Sequence, residues 1–126
     1  MRRLLAAALM LAAVGGCAST TTIEIQMRYS RFEPVQITVP AGVPVTFVLR
    51  NEDPIDHEWI VGDAELHEIH RVGTHLHGDL PTEVFVPALE SRRTTVTFDE
   101  AGQLRFVCHL PQHEVYGMTG VVTVMP

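Results

Sequence analysis

The residues of this 126-residue chain with the most distinctive chemistry are Cys108, His113 and Met118, each five positions after the one before. Their thiol, imidazole and thioether groups are the soft and borderline donors that copper prefers. Two histidines, a cysteine thiolate and a weak axial methionine form the ligand set of an electron-transfer copper site. The loop supplies three of these four ligands, so the spacing predicts a copper site that a second histidine completes.

Two strands must bring these side chains together. Residues 104–108 and 120–125 have strand patterns, and a loop between paired strands can place the three side chains around one point. Pro111 and Gly117 favour a tight, stiff loop. A cage that does not move when copper changes oxidation state keeps the reorganisation small, so electron transfer is fast.

His57 is the predicted fourth ligand. It begins an apolar, strand-like segment, which no other histidine outside the loop does. As a ligand it would use one ring nitrogen while a neighbouring acceptor holds the other. The alternative is a histidine at the end of a loop that is bonded to Asp56. We favour the ligand.

Cys108 could also be a core thiol, a nucleophile or a zinc ligand, but each of these roles accounts for less of the pattern. A buried core thiol would leave the register of His113 and Met118 unexplained. A Cys–His nucleophile would need a third group to orient the histidine, and the sequence offers no recognisable one. Zinc sites use nitrogen, oxygen and thiolate ligands, so the thioether of Met118 favours copper over zinc.

These motifs resemble those of cupredoxins, the blue copper proteins of the plastocyanin and azurin kind. The Cys-x4-His-x4-Met spacing is similar to that of auracyanin and rusticyanin, and its second half is one residue longer than in azurin. Residues 56–61 resemble the strand that carries the first histidine ligand. The resemblance covers residues 23–125. It implies one type 1 copper ion held by His57, Cys108, His113 and Met118.

The resemblance also implies what surrounds the copper. Many cupredoxins have Asn or Ser beside the first histidine to support the cysteine sulfur, whereas this chain has Glu58 there, and Asn51 is the nearest asparagine. In the family the electron leaves through an apolar docking surface around an exposed edge of the second histidine. Here that surface would comprise Leu110, Pro111 and Val115.

Residues 62–81, which we call the flap, depart from the strand pattern. Residues 63–72 have helical spacing with Asp63 as a possible N-cap, and azurin-like cupredoxins carry a helical excursion at a similar point. The flap is interpreted either as a polar, solvent-exposed lid or as a second metal site. Nothing in the sequence places its four histidines in register. They are His67, His70, His75 and His77.

His109 follows Cys108 directly. Neighbouring residues of a strand point to opposite faces, so His109 should not share the copper with Cys108. It is predicted to support the site indirectly or to face solvent.

Residues 1–16 have the pattern of a lipoprotein signal peptide. A positive start precedes an apolar segment, and small residues stand before Cys17, which resembles a bacterial lipobox. Cleavage before Cys17 and lipidation of its thiol are therefore expected; the alternative is an ordinary secretory signal. Residues 17–22 are predicted as a tether and residues 23–126 as the single domain. Cys108 would then be the one free thiol, without an intrachain disulfide.

The charge of the mature chain bears on its partners. It has seven arginines, no lysine and fifteen acidic residues, a formal net charge of −8. This balance argues against binding nucleic acid, or anionic lipid through charge. It permits a basic or neutral redox partner. The predicted location is the periplasmic or extracellular face of a membrane, as a monomer.

The remaining pattern predicts an all-β domain. Short strands are expected at residues 23–27, 35–39, 43–50, 57–61, 83–86 and 93–98, besides the two that flank the loop. Their number and spacing indicate an antiparallel Greek-key β-sandwich, cupredoxin-like, with one short helix in the flap. About 110 residues are enough for one such core without disulfides.

The function predicted from these observations is that of a membrane-tethered type 1 copper protein. It would carry single electrons between larger redox proteins, such as cytochromes or copper oxidoreductases. The alternative is a copper-binding protein for trafficking, storage or resistance, in which the flap histidines collect metal. An enzyme is less favoured, because the multicopper oxidases and nitrite reductases that use this domain need further copper clusters and further domains.

Overall fold

The computed structural model describes residues 20–73 and 80–126 as two β-sheets packed against each other with one α-helix beside them. The helix, α1, is Ala64–Arg71. The described residues contain nine strands: β1 Thr21–Met27, β2 Phe32–Glu33, β3 Gln36–Pro40, β4 Val45–Asn51, β5 His57–Gly62, β6 Glu83–Val86, β7 Ser91–Val96, β8 Gly102–Val107 and β9 Thr119–Met125.

The predicted sandwich with a short helix is confirmed. One sheet has the strand order β2-β1-β4-β7 and the other the order β3-β9-β8-β5-β6. Most neighbouring strands are antiparallel, but β1 pairs with β4 and β3 with β9 in parallel. A parallel pair cannot be closed by a tight hairpin and needs a crossover connection, so the chain must pass between the two sheets.

A continuous apolar core lies between the sheets and ends at the ligand loop. Phe47 and Trp59, one from each sheet, meet there with ring centroids 4.8 Å apart. The fully buried side chains of Cys108 and Met118 belong to the same cluster. The loop is therefore anchored at both ends in the close-packed core.

The observed boundaries of the predicted elements differ from the expected ones by at most two residues. Strand β1 begins at Thr21, so the last two residues of the predicted tether are already paired, with Val45 and Thr46 of β4. Strand β8 ends at Val107, which makes Cys108 the first residue of the loop rather than the last of the strand. Cys17 lies outside the described residues.

The helix begins where the capping residue predicts. The carboxylate of Asp63 accepts a hydrogen bond from the backbone N–H of Leu66 at 2.9 Å, which satisfies one of the free donors of the first turn. Glu65 in the first turn and Arg71 in the last complement the helix dipole. Helix α1 packs against β5, the strand that carries His57. Within residues 20–73 and 80–126, we find no helix long and apolar enough to cross a membrane.

Candidate metal centre

The loop from Cys108 to Met118 is folded back on itself by backbone hydrogen bonds. The N–H of Cys108 donates to the carbonyl of Met118 at 3.2 Å, and the N–H of Met118 donates to the carbonyl of His113 at 2.9 Å. Gly117 has a φ of +92°, a backbone conformation that residues other than glycine rarely adopt. The three candidate ligands of the loop are therefore held by its own backbone.

Strand β5 adds the fourth candidate. His57 is its first residue, and β5 lies beside β8, which leads directly into Cys108. The Nδ1 atoms of His57 and His113 are 3.2 Å apart, and the sulfur of Cys108 is 3.1 Å from Nδ1 of His113. These ligand atoms all lie within 4.8 Å of one another. The structure thus brings three of the four predicted ligands together, and the side chain of Met118 is fully buried in the same cluster. Metal binding by the four remains a prediction.

A buried carboxylate fixes the orientation of His57. Its Nε2 atom lies 2.8 Å from a carboxylate oxygen of Asp53. An ionised carboxylate can only accept, so Nε2 carries the proton and Nδ1 presents its lone pair to the centre. The alternative in which His57 is bonded to Asp56 is wrong, because the carboxylate of Asp56 accepts instead from the N–H of Ala88 at 2.9 Å.

Asp53 is itself held in place by the turn between β1 and β2, which belongs to the sheet that does not contain His57. Its two carboxylate oxygens accept the backbone N–H groups of Tyr29 and Ser30, each at 2.8 Å. Burial by itself raises the pKa of Asp53, but the hydrogen bonds from Ser30, His57 and Tyr29 outweigh burial and hold the pKa below its usual range. Asp53 is therefore ionised at neutral pH.

Asn51 braces this loop rather than the cysteine sulfur. Its amide donates to the carbonyls of Ile55, Val86 and Pro87 at 2.8, 3.1 and 3.0 Å, and its oxygen accepts the N–H of Asp53. The sulfur of Cys108 accepts the backbone N–H of Glu58 at 3.3 Å. The support for the thiolate that the sequence left open is thus a main-chain group, for which the identity of the side chain gives no signal.

The environment keeps Cys108 and His113 uncharged when no metal is bound. Burial raises the pKa of the Cys108 thiol to about 11, against the N–H groups of Glu58 and Leu110, which lower it. Burial also lowers the pKa of His113. A metal must therefore displace the thiol proton, so its affinity should rise with pH.

The donor set fits copper. Two imidazole nitrogens and one thiolate sulfur converge, and Met118 brings a thioether to the same buried cluster. Imidazole, cysteine sulfur and thioether are together the soft and borderline donors that copper prefers.

The structure places the described flap histidines differently from the expectation. His67 is 1% exposed and His70 is 8% exposed, so the prediction of a solvent-exposed lid is wrong for these two. The spacing of His67 and His70 along α1 turns both toward the sheet. His109 does not face solvent either, since its side chain is 4% exposed and its ring lies against that of His67. His75 and His77 lie outside the described residues.

Comparison with known proteins places this site in a wider context. A family model described as a cupredoxin-like domain matches residues 2–124. A protein of Pseudomonas aeruginosa named copper-resistant cuproprotein CopI is 30% identical over an alignment 141 positions long, which covers 86% of this chain and 78% of that protein. A protein of the same name from Rubrivivax gelatinosus is 36% identical over 99 residues, which cover 75% of this chain and 59% of that protein.

Solved structures of similar fold include two auracyanins. Auracyanin B superposes with a TM-score of 0.71 at 21% identity, over 84% of this chain and 89% of that one. The reduced auracyanin of Roseiflexus castenholzii superposes with a TM-score of 0.73 at 23% identity, over 85% and 98% of the two chains. At this level of identity the likeness concerns the fold.

Asp53 and Asp56 offer a matched pair of substitutions. Asp53→Ala leaves two backbone N–H groups and an imidazole N–H without their acceptor in a buried place, so it should destabilise the metal-free protein by about 2–4 kcal/mol. Asp56→Ala removes one exposed acceptor that water can replace, so its effect should be much smaller. Urea denaturation of both variants measures the difference.

The effect of Asp53→Ala on the free energy of unfolding should depend on pH. Because the folded protein lowers the pKa of Asp53, its contribution is complete above about pH 4 and is lost as the pH falls through the folded value. The difference in free energy of unfolding between wild type and Asp53→Ala should therefore become smaller in acid. Equal effects of the two substitutions at pH 7 would contradict the role given to Asp53.

Proposed function

The chain belongs to the cupredoxin-like family, and from that premise we propose that it is a copper protein that carries single electrons between larger redox proteins. The observation that supports this most directly is the convergence of the Nδ1 atoms of His57 and His113 with the sulfur of Cys108. They meet at the end of a packed core, on a loop closed by its own hydrogen bonds.

Bound copper would supply a reversible change of one unit of charge, and the protein would keep its ligands still while that change occurs. His57, Cys108 and His113 would hold the ion, and Met118 would be the weak axial ligand. Asp53 orients His57, and the N–H of Glu58 stabilises negative charge on the sulfur. All of these contacts come from residues that are already buried or tied to the backbone, so little has to move.

His113 is the proposed exit for the electron. His57 is fully buried, whereas His113 is half-buried and stands among exposed loop residues. Pro111 is exposed and Val115 is 79% exposed, which gives an apolar rim on which a partner can dock. The acidic balance of the chain suits a basic or neutral redox protein there, a cytochrome or a copper oxidoreductase.

A second candidate function is copper resistance or trafficking. Two relatives carry the name copper-resistant cuproprotein, and buried histidines outside the first cluster, His67 and His109, could bind further metal. Intense blue colour with reversible one-electron cycling supports the electron carrier. Colourless binding of several Cu(I) ions per chain supports the second candidate.

The location proposed for the protein is the cell envelope, anchored through lipid on Cys17. If so, Cys17→Ser should leave a folded domain that moves from the membrane fraction to the soluble fraction, because the lipid and not the fold holds it. Fractionation and mass spectrometry of both forms test this. A wild-type chain recovered without lipid in the soluble fraction excludes the anchor.

The role of Cys108 as a thiolate ligand is tested by its substitution, with the other cysteine of the chain, Cys17, as the control. Cys108→Ser should abolish the intense thiolate-to-copper absorption, since a hydroxyl is a far poorer ligand. Cys17→Ser changes the same residue type outside the described domain and should keep the colour. Visible spectra of the two copper-loaded variants measure this. Colour that survives Cys108→Ser would rule out the ligand assignment.

The axial ligand is tested through the reduction potential. The thioether of Met118 is soft and favours Cu(I), so an amide oxygen in Met118→Gln should lower the potential. Met118→Leu removes the donor and makes the site more apolar, so the potential should rise. Met27→Leu alters another fully buried methionine, on β1, and should leave the potential unchanged. Cyclic voltammetry measures all three. Potentials that stay at the wild-type value in both Met118 variants would remove Met118 from the ligand set.

A further inference from the structure

A second pair of histidines in contact joins helix α1 to the start of the ligand loop. Nδ1 of His67, on α1, is 2.9 Å from Nε2 of His109, the residue after Cys108. The two rings are 5.2 Å apart at their centroids, and both side chains are almost fully buried. The ring of His70 stacks on that of His109, nearly parallel at 12°, which fixes the plane of His109.

Two neutral rings have one hydrogen too few for the contacts that His67 and His109 make. Nε2 of His67 lies 3.2 Å from the carbonyl of Arg105, which can only accept, so the single proton of a neutral His67 is on Nε2. Nδ1 of His67 therefore turns a lone pair toward Nε2 of His109. On the other side, Nδ1 of His109 faces a carboxylate oxygen of Glu114 at 3.4 Å.

Two neutral imidazoles supply only two hydrogens for the two hydrogen-bond contacts of this row and for the longer, 3.4 Å approach to Glu114. If His109 donates to Glu114, two lone pairs face each other at 2.9 Å; if it donates to His67, a lone pair faces a carboxylate. Glu114 does not bring the missing proton, because Arg71 binds both of its oxygens, at 2.9 and 2.8 Å. Both histidine side chains are almost fully buried, which disfavours a charged imidazolium in this row.

We propose that His67 Nδ1 and His109 Nε2 bind a second transition-metal ion of the class that imidazole prefers, copper or zinc. The ion would close the gap between the two lone pairs, while the carbonyl of Arg105 and the carboxylate of Glu114 hold the outer N–H groups. Water or another side chain would complete its coordination.

The distances compare well with those of the first centre. Two nitrogens bound at about 2.0–2.1 Å in a tetrahedron are about 3.3 Å apart. The facing nitrogens are 3.2 Å apart at the first centre and 2.9 Å apart here. Both pairs need only a small outward movement of the rings to admit an ion.

The second ion would lie close to the first, because Cys108 and His109 are consecutive residues. A positive ion so close favours the less charged state of the first copper, so its binding should raise the reduction potential of the first site. This consequence rests on the proposed function, whereas the binding of the second ion does not.

The test is a zinc titration, against a chromophoric chelator, of the full-length protein loaded with one copper ion per chain at the first site. Wild type should bind one more zinc ion per chain than His67→Gln or His109→Gln. The matched control is the double variant His75→Gln/His77→Gln, which alters two other flap histidines and should keep this ion. The result is a difference in zinc ions bound per chain between proteins that share the same first site. It therefore does not depend on whether the protein carries electrons.

A second measurement needs no variant. Nitrogen-15 spectra of the histidine rings in wild type should show zinc shifting Nδ1 of one ring and Nε2 of another, the two tautomers that the contacts assign to His67 and His109. Equal zinc counts in wild type and both ligand variants would overturn the proposal. So would loss of the ion only in the His75→Gln/His77→Gln control, or an absence of ring shifts with zinc.

Discussion

The central constraint on this protein is that the candidate ligand nitrogen and sulfur atoms converge on one point. Nδ1 of His57, Nδ1 of His113 and the sulfur of Cys108 lie within 4.8 Å of one another, with His57 and Cys108 fully buried and His113 half-buried. Such an arrangement is costly without a cation, because the one thiol proton cannot satisfy the lone pairs of both imidazoles. The scaffold must hold them together before the metal arrives, and the surrounding hydrogen bonds serve this purpose.

That support comes from three separate parts of the chain. The turn at Tyr29 and Ser30 holds Asp53, and Asp53 holds His57. Asn51 ties the intervening loop to the end of β6. The ligand loop is closed by its own backbone and fixed to the core by Cys108. Rigidity at the centre therefore depends on contacts between both sheets and not on the loop alone, which explains why a small domain can keep the ligands in place.

The two histidine clusters follow the same physical rule. In each, an acceptor fixes the proton on the outer nitrogen of one imidazole, Asp53 for His57 and the carbonyl of Arg105 for His67. The inner nitrogen then presents its lone pair to a second histidine. The two acceptors differ in charge. An imidazole bonded to a carboxylate is a stronger electron-pair donor to a metal than an imidazole bonded to a carbonyl. The first cluster adds a thiolate, which gives it a preference for copper that two imidazoles alone do not have.

The sequence by itself determined the features that depend on local spacing. Cys108, His113 and Met118 lie on one short loop. Strand patterns marked every described strand except β2 within two residues, and Asp63 marked the start of α1. The tertiary structure decided the features that join residues distant in the chain. Asp53 rather than Asp56 orients His57, although both are equally plausible as neighbours in the sequence.

The same holds for the support of Cys108, a main-chain N–H fifty residues away, and for the contact between His67 and His109, forty-two residues apart. The physical reason is that periodicity reports which face of an element a side chain occupies. Hydrogen bonds across elements depend instead on how two sheets and a helix pack, and on the backbone groups that they bring together.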